Sequence, residues 1–347
     1  MLDFVFVLLI MLLMFGIMIF IHEFGHFITA RWCGVAVKEF AVGMGPTVFS
    51  WKSKKHDTKY ALRAFPIGGF VSMVGEDEES DDENAFCNKS VPRRMLIVVA
   101  GAIMNLLLGV ILTAIIVLTQ GPLASTTIAE FSDQAITSSQ LQVEDKIIKV
   151  GNTSVHTGNE LAYEIMNQGY EPINITVIRN GEKNVLENVV FPTFSDSGAI
   201  FGDLDFRIYA ERSTFPNVVK HIFFRSVSNV KTVLDSLAGL IGGRYGMEAV
   251  SGPIGVVDAM DSMVETTGFH ALSFLSLASL LTMNLGVFNL IPFPALDGGR
   301  FLFLGIEGIR RKPINPKVES YINFVGILIL FAFMILVTFK DLFQLIF

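Results

Sequence analysis

The chain has 347 residues, 51% of them hydrophobic and 17% charged, with a mean hydropathy of +0.54. That balance excludes an ordinary soluble protein, and a formal charge of −7 without a basic stripe excludes nucleic acid as a partner. Residues 4–21, 95–120, 266–296 and 320–339 carry no Asp, Glu, Lys or Arg, and each stretch is long enough to cross a bilayer. The expectation is a polytopic α-helical membrane protein with four transmembrane helices.

The first apolar run lacks a positively charged start and a small-residue cleavage site, so it reads as a retained helix rather than a leader. It ends in His22-Glu23-Phe24-Gly25-His26. On a helix, residues four apart share a face, so His22 and His26 can offer two nitrogens to one zinc ion. Glu23 stands beside them, free to take a proton from a water that the metal polarises. Ionisable groups at membrane depth are costly and point to function.

Residues 31–94 contain ten Lys and Arg, and 297–319 contain five; the segment before the first span has none, and the tail has only Lys340. The positive-inside rule then places both termini and the long 121–265 segment outside and the two basic loops in the cytoplasm. The motif falls near the cytoplasmic end of its helix. Residues 38–42, 47–53 and 58–65 are rich in β-branched and aromatic residues, with turn signals between them, and predict a small antiparallel sheet. The apolar, Gly-rich run Phe65-Pro-Ile-Gly68-Gly69-Phe70-Val71 follows, and an edge strand there could pair with a substrate chain. The acidic run at 76–83 reads as solvated and mobile. Cys33 and Cys87 lack metal-motif spacing and read as ordinary thiols. In the second span, Gly101 and Asn105 suggest helix packing rather than chemistry.

Residues 121–193 have the character of a soluble domain, with a helix over 159–168 and strands at 173–179 and 185–191 around Asn180-Gly181, a hairpin signal. Residues 194–265 read as an amphipathic extracytoplasmic connector with one or two interfacial helices. A catalytic zinc needs a third protein ligand and an open position. His56, His156 and His221 are expected outside the lipid and His270 at the far end of its span, which leaves Asp297 in Asn289-Leu-Ile-Pro292-Phe-Pro294-Ala-Leu-Asp297-Gly-Gly as the best candidate. Asn289 and Asn284 lie in the same apolar span, where an amide can hold a peptide carbonyl or staple two helices. The expected order is a first span at 1–30, a membrane-associated β region and acidic loop at 31–94, spans at 95–120 and 266–296, the domain and connector between them, a basic loop at 297–319, and a fourth span with the tail at 320–347.

Taken together, HEFGH, FPIGGFV, GAIMN, SGPIG at 251–255 and NLIPFPALDGG resemble the intramembrane metalloproteases of the site-2 protease type, specifically the bacterial proteases that regulate sigma-E-like stress responses. The resemblance spans nearly the whole chain. It implies that His22, His26 and Asp297 bind zinc and that Glu23 is the catalytic acid/base. It further implies that Asn289 positions substrate and that the hairpin bearing Gly68, Gly69 and Phe70 lies beside it. The soluble segment resembles a PDZ domain, with Ser132 to Ala135 like the turn entering the ligand groove and Glu144 standing where the motif has glycine. There is room for one such domain, where the best-known enterobacterial members carry two. The implied activity is cleavage of single-span membrane proteins already trimmed by another protease, such as an anti-sigma factor, or of remnant signal peptides, in the bacterial inner membrane. The alternatives are a membrane-anchored zincin acting on non-membrane substrates and a non-enzymatic PDZ scaffold.

Overall fold

A proline-free run of Leu, Met, Ile and Phe makes α1 (Leu2–Trp32), which carries the His22/His26 motif in its last third. The computed structural model describes residues 2–54, 57–76, 78–196, 198–267 and 270–346. The chain divides into two units, Met1–Gly109 with Ser251–Phe347, and Val110–Val250. Among the described residues, four helices are long and apolar enough to cross a membrane: Phe6–Trp32, Val91–Thr119, Ala271–Leu290 and Lys317–Gln344. The protein is a polytopic membrane protein with additional β-sheets.

After α1 come β1 (Val37–Lys52) and β2 (Lys59–Met73). Both strands bend, so residues 39–42 of β1 pair on one side with 69–72 of β2 and on the other with 59–62, while 47–52 pair with 59–63. The expected strands at 38–42, 47–53 and 58–65 are therefore present, and 69–72 adds a fourth at one margin, paired on one side only among the described residues. His56 lies outside the described residues. An aromatic column holds the sheet on α1. Phe20, Phe24 and Phe27 share a face of the helix, and Phe20 and Phe27 reach Phe40, with Tyr60 and Trp51 beyond it. Each such pair contributes about 0.5–1.5 kcal/mol beyond its buried area. Beneath, Ala30, Val37, Met73, Ile97 and Leu304 form a common core.

The helix α2 (Val91–Thr119) leads into the second unit. There follow β3 (Leu123–Phe131), β4 (Lys146–Val150), β5 (Thr153–Ser154), α3 (Gly158–Gln168), β6 (Ile173–Arg179), β7 (Glu182–Val189), β8 (Thr193–Asp196), β9 (Ala199–Gly202), β10 (Phe206–Glu211) and α4 (Phe215–Ile241). The sheet runs β10-β3-β4-β6-β7, with β5 on β4 and a separate β8-β9 hairpin. Asn180 and Gly181 join β6 to β7 with φ of 54° and 84°, the pair of positive values that a tight hairpin turn requires. Thr157 and Glu160 cap α3 reciprocally. The expected boundary at 193 is too early: β10 pairs with β3, Phe206 packs on Phe131, and Asp205 takes hydrogen bonds from Thr137. Sheet pairing across some eighty residues has no local signal.

The first unit resumes with α5 (Pro253–Thr267), α6 (Ala271–Leu290), α7 (Asp297–Arg310) and α8 (Pro316–Ile346). The third apolar helix is thus 271–290 rather than 266–296. Pro292 and Pro294 break it, and the segment expected as a loop from 297 is instead α7. Ala295 has φ of 75°, and its N–H donates to Asn323 Oδ1 at 3.2 Å, which ties the break to α8. Gly298 and Gly299 let the break fold tightly over the start of α7, since a side chain at either would collide with the carbonyls of Ile291 or Phe293.

Candidate metal centre

The two imidazoles of α1 lie one turn apart, ring centroids 4.8 Å and planes 82° from each other, and press on α2. Room for them is made by Gly101: a Cβ there would overlap His26 Nε2 and stand 2.8 Å from His22 Cε1. The Ile97 carbonyl, one turn earlier on α2, accepts from His26 Nδ1 at 2.9 Å, which leaves the lone pair on Nε2. Helix α7 starts by delivering Asp297, 271 residues after His26, to the same point. Its Oδ2 is buried, makes no hydrogen bond, and lies 3.3 Å from both His22 Nε2 and His26 Nε2. The two Nε2 atoms are 3.2 Å apart.

These spacings test whether zinc fits. An ion with tetrahedral ligands at about 2.0–2.1 Å has its donor atoms about 3.3–3.4 Å apart. The three observed edges, 3.2, 3.3 and 3.3 Å, match. Two imidazole nitrogens and a carboxylate oxygen converging at these spacings suit a cation. Among the described residues, His22, His26 and Asp297 are the one group of His, Cys, Asp and Glu whose donors converge in this way.

A cavity of about 230 Å³ opens on the trio, lined also by Glu23, Phe70, Met73, Glu76, Ile97 and Arg300. Glu23 is next to the donors on α1, and the marginal strand of β2 lies over it. A Cβ at Gly69 would stand 3.3 Å from Glu23 Cγ, so the strand backbone reaches the carboxylate because residue 69 has no side chain. Phe70 lines the cavity, with the Arg63 guanidinium 4.7 Å above its ring. Gly68, at the bend in β2 with φ of 88°, packs against Met44. Arg300, one turn after Asp297, forms an ion pair with Glu76 and so fastens the end of β2 to α7.

The structure brings His22, Glu23, His26, Asp297 and Phe70 together, with Gly69 adjoining. Asn289 and Asn284, on α6, are not among the described residues lining the cavity; Asn289 is half-buried, and Asn284 Oδ1 is buried without a hydrogen-bond partner. Ile97, Glu76 and Arg300 were not singled out by sequence reasoning. Arg300 had a usable signal, being three residues after Asp297 on one helix face; Glu76, hidden in an acidic run, had none. That run is otherwise solvent-exposed where described, as expected. Cys33 and Cys87 are free thiols.

Comparison with known proteins agrees with this geometry. The model of peptidase family M50 matches residues 10–333. A Clostridium acetobutylicum protein named among the zinc metalloproteases is 35% identical, over 96% of each chain. The zinc metalloprotease RasP of Oceanobacillus iheyensis is 29% identical over 95% of this chain and 97% of its own. The regulator of sigma-W protease RasP of Bacillus subtilis is 26% identical over 95% and 97%. With a family match over nearly the full length and relatives of the same extent, this chain belongs to peptidase family M50, the site-2 proteases, and is a zinc metalloprotease.

Proposed function

We propose that this protein is an intramembrane endopeptidase that cuts the transmembrane segment of single-span proteins, with His22, His26 and Asp297 holding zinc and Glu23 as the acid/base. The observation that carries the reading is one cavity, among helices long enough to span a membrane, that joins the three donors, a free carboxylate and the margin of a sheet. Zinc held there would supply a Lewis acid for the scissile carbonyl and the attacking water. Glu23 takes the water's proton on a carboxylate oxygen and returns it to the leaving nitrogen. A helical substrate protects its own peptide groups, so it must unwind, and residues 69–72, paired on one side only among the described residues, offer an edge to an extended chain. Gly69 keeps that strand close to Glu23. Asn289 and Asn284 would act from α6 on the substrate's polar backbone once it unwinds.

Basic residues in 31–94 and 297–319 support an inner-membrane topology with both termini and the Val110–Val250 unit outside and the site near the cytoplasmic face. That unit reads as one PDZ domain: Glu144 holds φ of 74° at the position where the motif has glycine. A substrate trimmed by another protease, such as an anti-sigma factor, fits both the buried site and the name of the Bacillus subtilis relative. A remnant signal peptide fits the same chemistry. A zincin working on non-membrane substrates would need its third ligand in a soluble domain, whereas Asp297 follows the third apolar helix.

The test is co-expression of a single-span substrate having a short ectodomain with the native chain or Glu23→Gln. Cleavage within the span by the native chain alone, stopped by a zinc chelator in detergent, is expected. Cleavage confined to soluble substrates would favour the zincin reading instead.

A further inference from the structure

His26 has an acceptor for its outer nitrogen, the Ile97 carbonyl; His22 needs one as well if its Nε2 is to present a lone pair. The group at His22 Nδ1 is the Asn105 side-chain amide, 3.3 Å away. From the sequence, Asn105 reads as a helix-packing residue that needs an interhelical partner, and the partner its side chain meets is this ring on α1. It is the backbone carbonyl of Asn105 that takes the hydrogen bond from Thr282 of α6, at 3.3 Å. The side chain is fully buried, and its Oδ1 meets no partner, so the amide's contact with His22 is what accounts for a polar group at this depth. With Nδ2 turned toward the ring, Nδ1 would have to accept, and the imidazole proton would sit on Nε2, pointing at His26 Nε2 and Asp297 Oδ2. The opposite amide orientation, which exchanges two atoms of nearly equal size, puts Oδ1 on the Nδ1–H and frees Nε2.

We propose that Asn105 is a positioning residue whose Oδ1 accepts from His22 Nδ1 and holds that ring in its zinc-binding tautomer. Ile97, Gly101 and Asn105 then form one row along α2, four residues apart, that respectively orients His26, clears space for both rings and orients His22. The inference rests on His22 being a zinc ligand, as proposed above.

The experiment uses the full-length chain in detergent, with zinc competed by a graded series of chelator and melting followed with and without zinc. For Asn105→Leu we expect zinc held 10- to 100-fold more weakly, with melting of the zinc-free protein unchanged and a smaller rise on adding zinc. Asn105→Asp keeps an acceptor for the same N–H and should recover zinc affinity to within a few-fold of native. Native affinity in the Leu variant would overturn the proposal, as would an Asp variant as weak as Leu. A drop in zinc-free melting equal to the drop with zinc would overturn it too, by making the role one of packing. Because the readout is zinc and not proteolysis, a chain that held zinc yet cut no transmembrane substrate would leave this inference intact. Unchanged zinc in His22→Ala would instead remove the ligand assignment beneath it.

Discussion

Buried carboxylates in the Val110–Val250 unit and the polar groups around α1 and α2 in the other unit are treated in opposite ways. In Val110–Val250 the carboxylates are paired, and the buried side-chain atoms without a hydrogen bond among the described residues are His221 Nε2, Ser226 Oγ and Arg244 Nη2. Asp145, buried, accepts from Arg179 at 2.7 and 2.6 Å and from the Gln142 N–H at 2.8 Å; Glu164, also buried, is met by Lys231 and Gln168; and Tyr163 donates to Asp235 at 2.8 Å. The same carboxylates hold the Arg179 guanidinium and the Tyr163 hydroxyl above their usual pKa values, the latter with burial as the larger cause. In the other unit, the polar groups around α1 and α2 are left short. Asp297 Oδ2 and Asn105 Oδ1 are buried without hydrogen bonds, and the two imidazole Nε2 atoms stand 3.2 Å apart. Complete carboxylate networks serve stability, while a buried carboxylate and amide left short beside two imidazoles point to a missing partner.

That contrast can be broken most sharply at Glu23. Glu23→Gln should lower proteolysis by about 10²- to 10⁴-fold while zinc content, read by metal analysis, stays near native. A variant that lost zinc in parallel would make Glu23 part of the donor set. Next comes zinc itself. Asp297→Asn should cut zinc content sharply, and unchanged metal in that variant would remove Asp297 from the ligands. Gly101→Ala should also weaken zinc although residue 101 is itself no ligand, because its methyl group would overlap His26 Nε2 and crowd the His22 ring. Gly305→Ala, on α7 with open space around it, is the matched control and should leave zinc unaffected.

In the Val110–Val250 unit the expected effect is on stability alone. Arg179→Met strands the Asp145 carboxylate in the core and should cost about 3 kcal/mol, measured by denaturant unfolding of the domain, with zinc content native. A loss below 1 kcal/mol would mean that water reaches Asp145. The smallest effect is at His221, nearly fully buried on α4. Burial first and Lys220 second hold its imidazole below the usual 6.5, with Glu211 and Glu160 opposing. The fold therefore prefers the neutral ring. Its contribution is complete above pH 6.5 and is lost as pH falls from there toward the lower folded value, because the unfolded chain binds the proton first. Unfolding of the unit between pH 7 and pH 5 should show this slope, and His221→Gln should flatten it.

Much of this was legible before the structure, and where it was not the reasons are specific. The four apolar helices, the His22/His26 pair, the strands of 37–73 and the Asn180-Gly181 turn all announce themselves within a few residues. The ends of the third span do not. Hydropathy cannot see that residues 266 and 267 belong to α5, or that two prolines convert 291–296 into a break before α7. The role of Asn105 is not legible, because an amide in an apolar helix has the same sequence signature whether it staples a neighbour or orients a ligand. The distinction is one of which atom it touches.

What the sequence determined by itself is chemistry held in short spacing: H-E-x-x-H on one helix face, a carboxylate after a broken span, four stretches too apolar for water. Those follow from helical periodicity and from the cost of charge in lipid, which act locally. Only the tertiary structure decided that Asp297 comes within 3.3 Å of both imidazoles, that β10 completes a sheet begun at β3, and that the backbone at Gly69 lies on Glu23. Each depends on side chains hundreds or tens of residues apart filling the same space, and close packing, unlike periodicity, leaves no repeat in the chain to read.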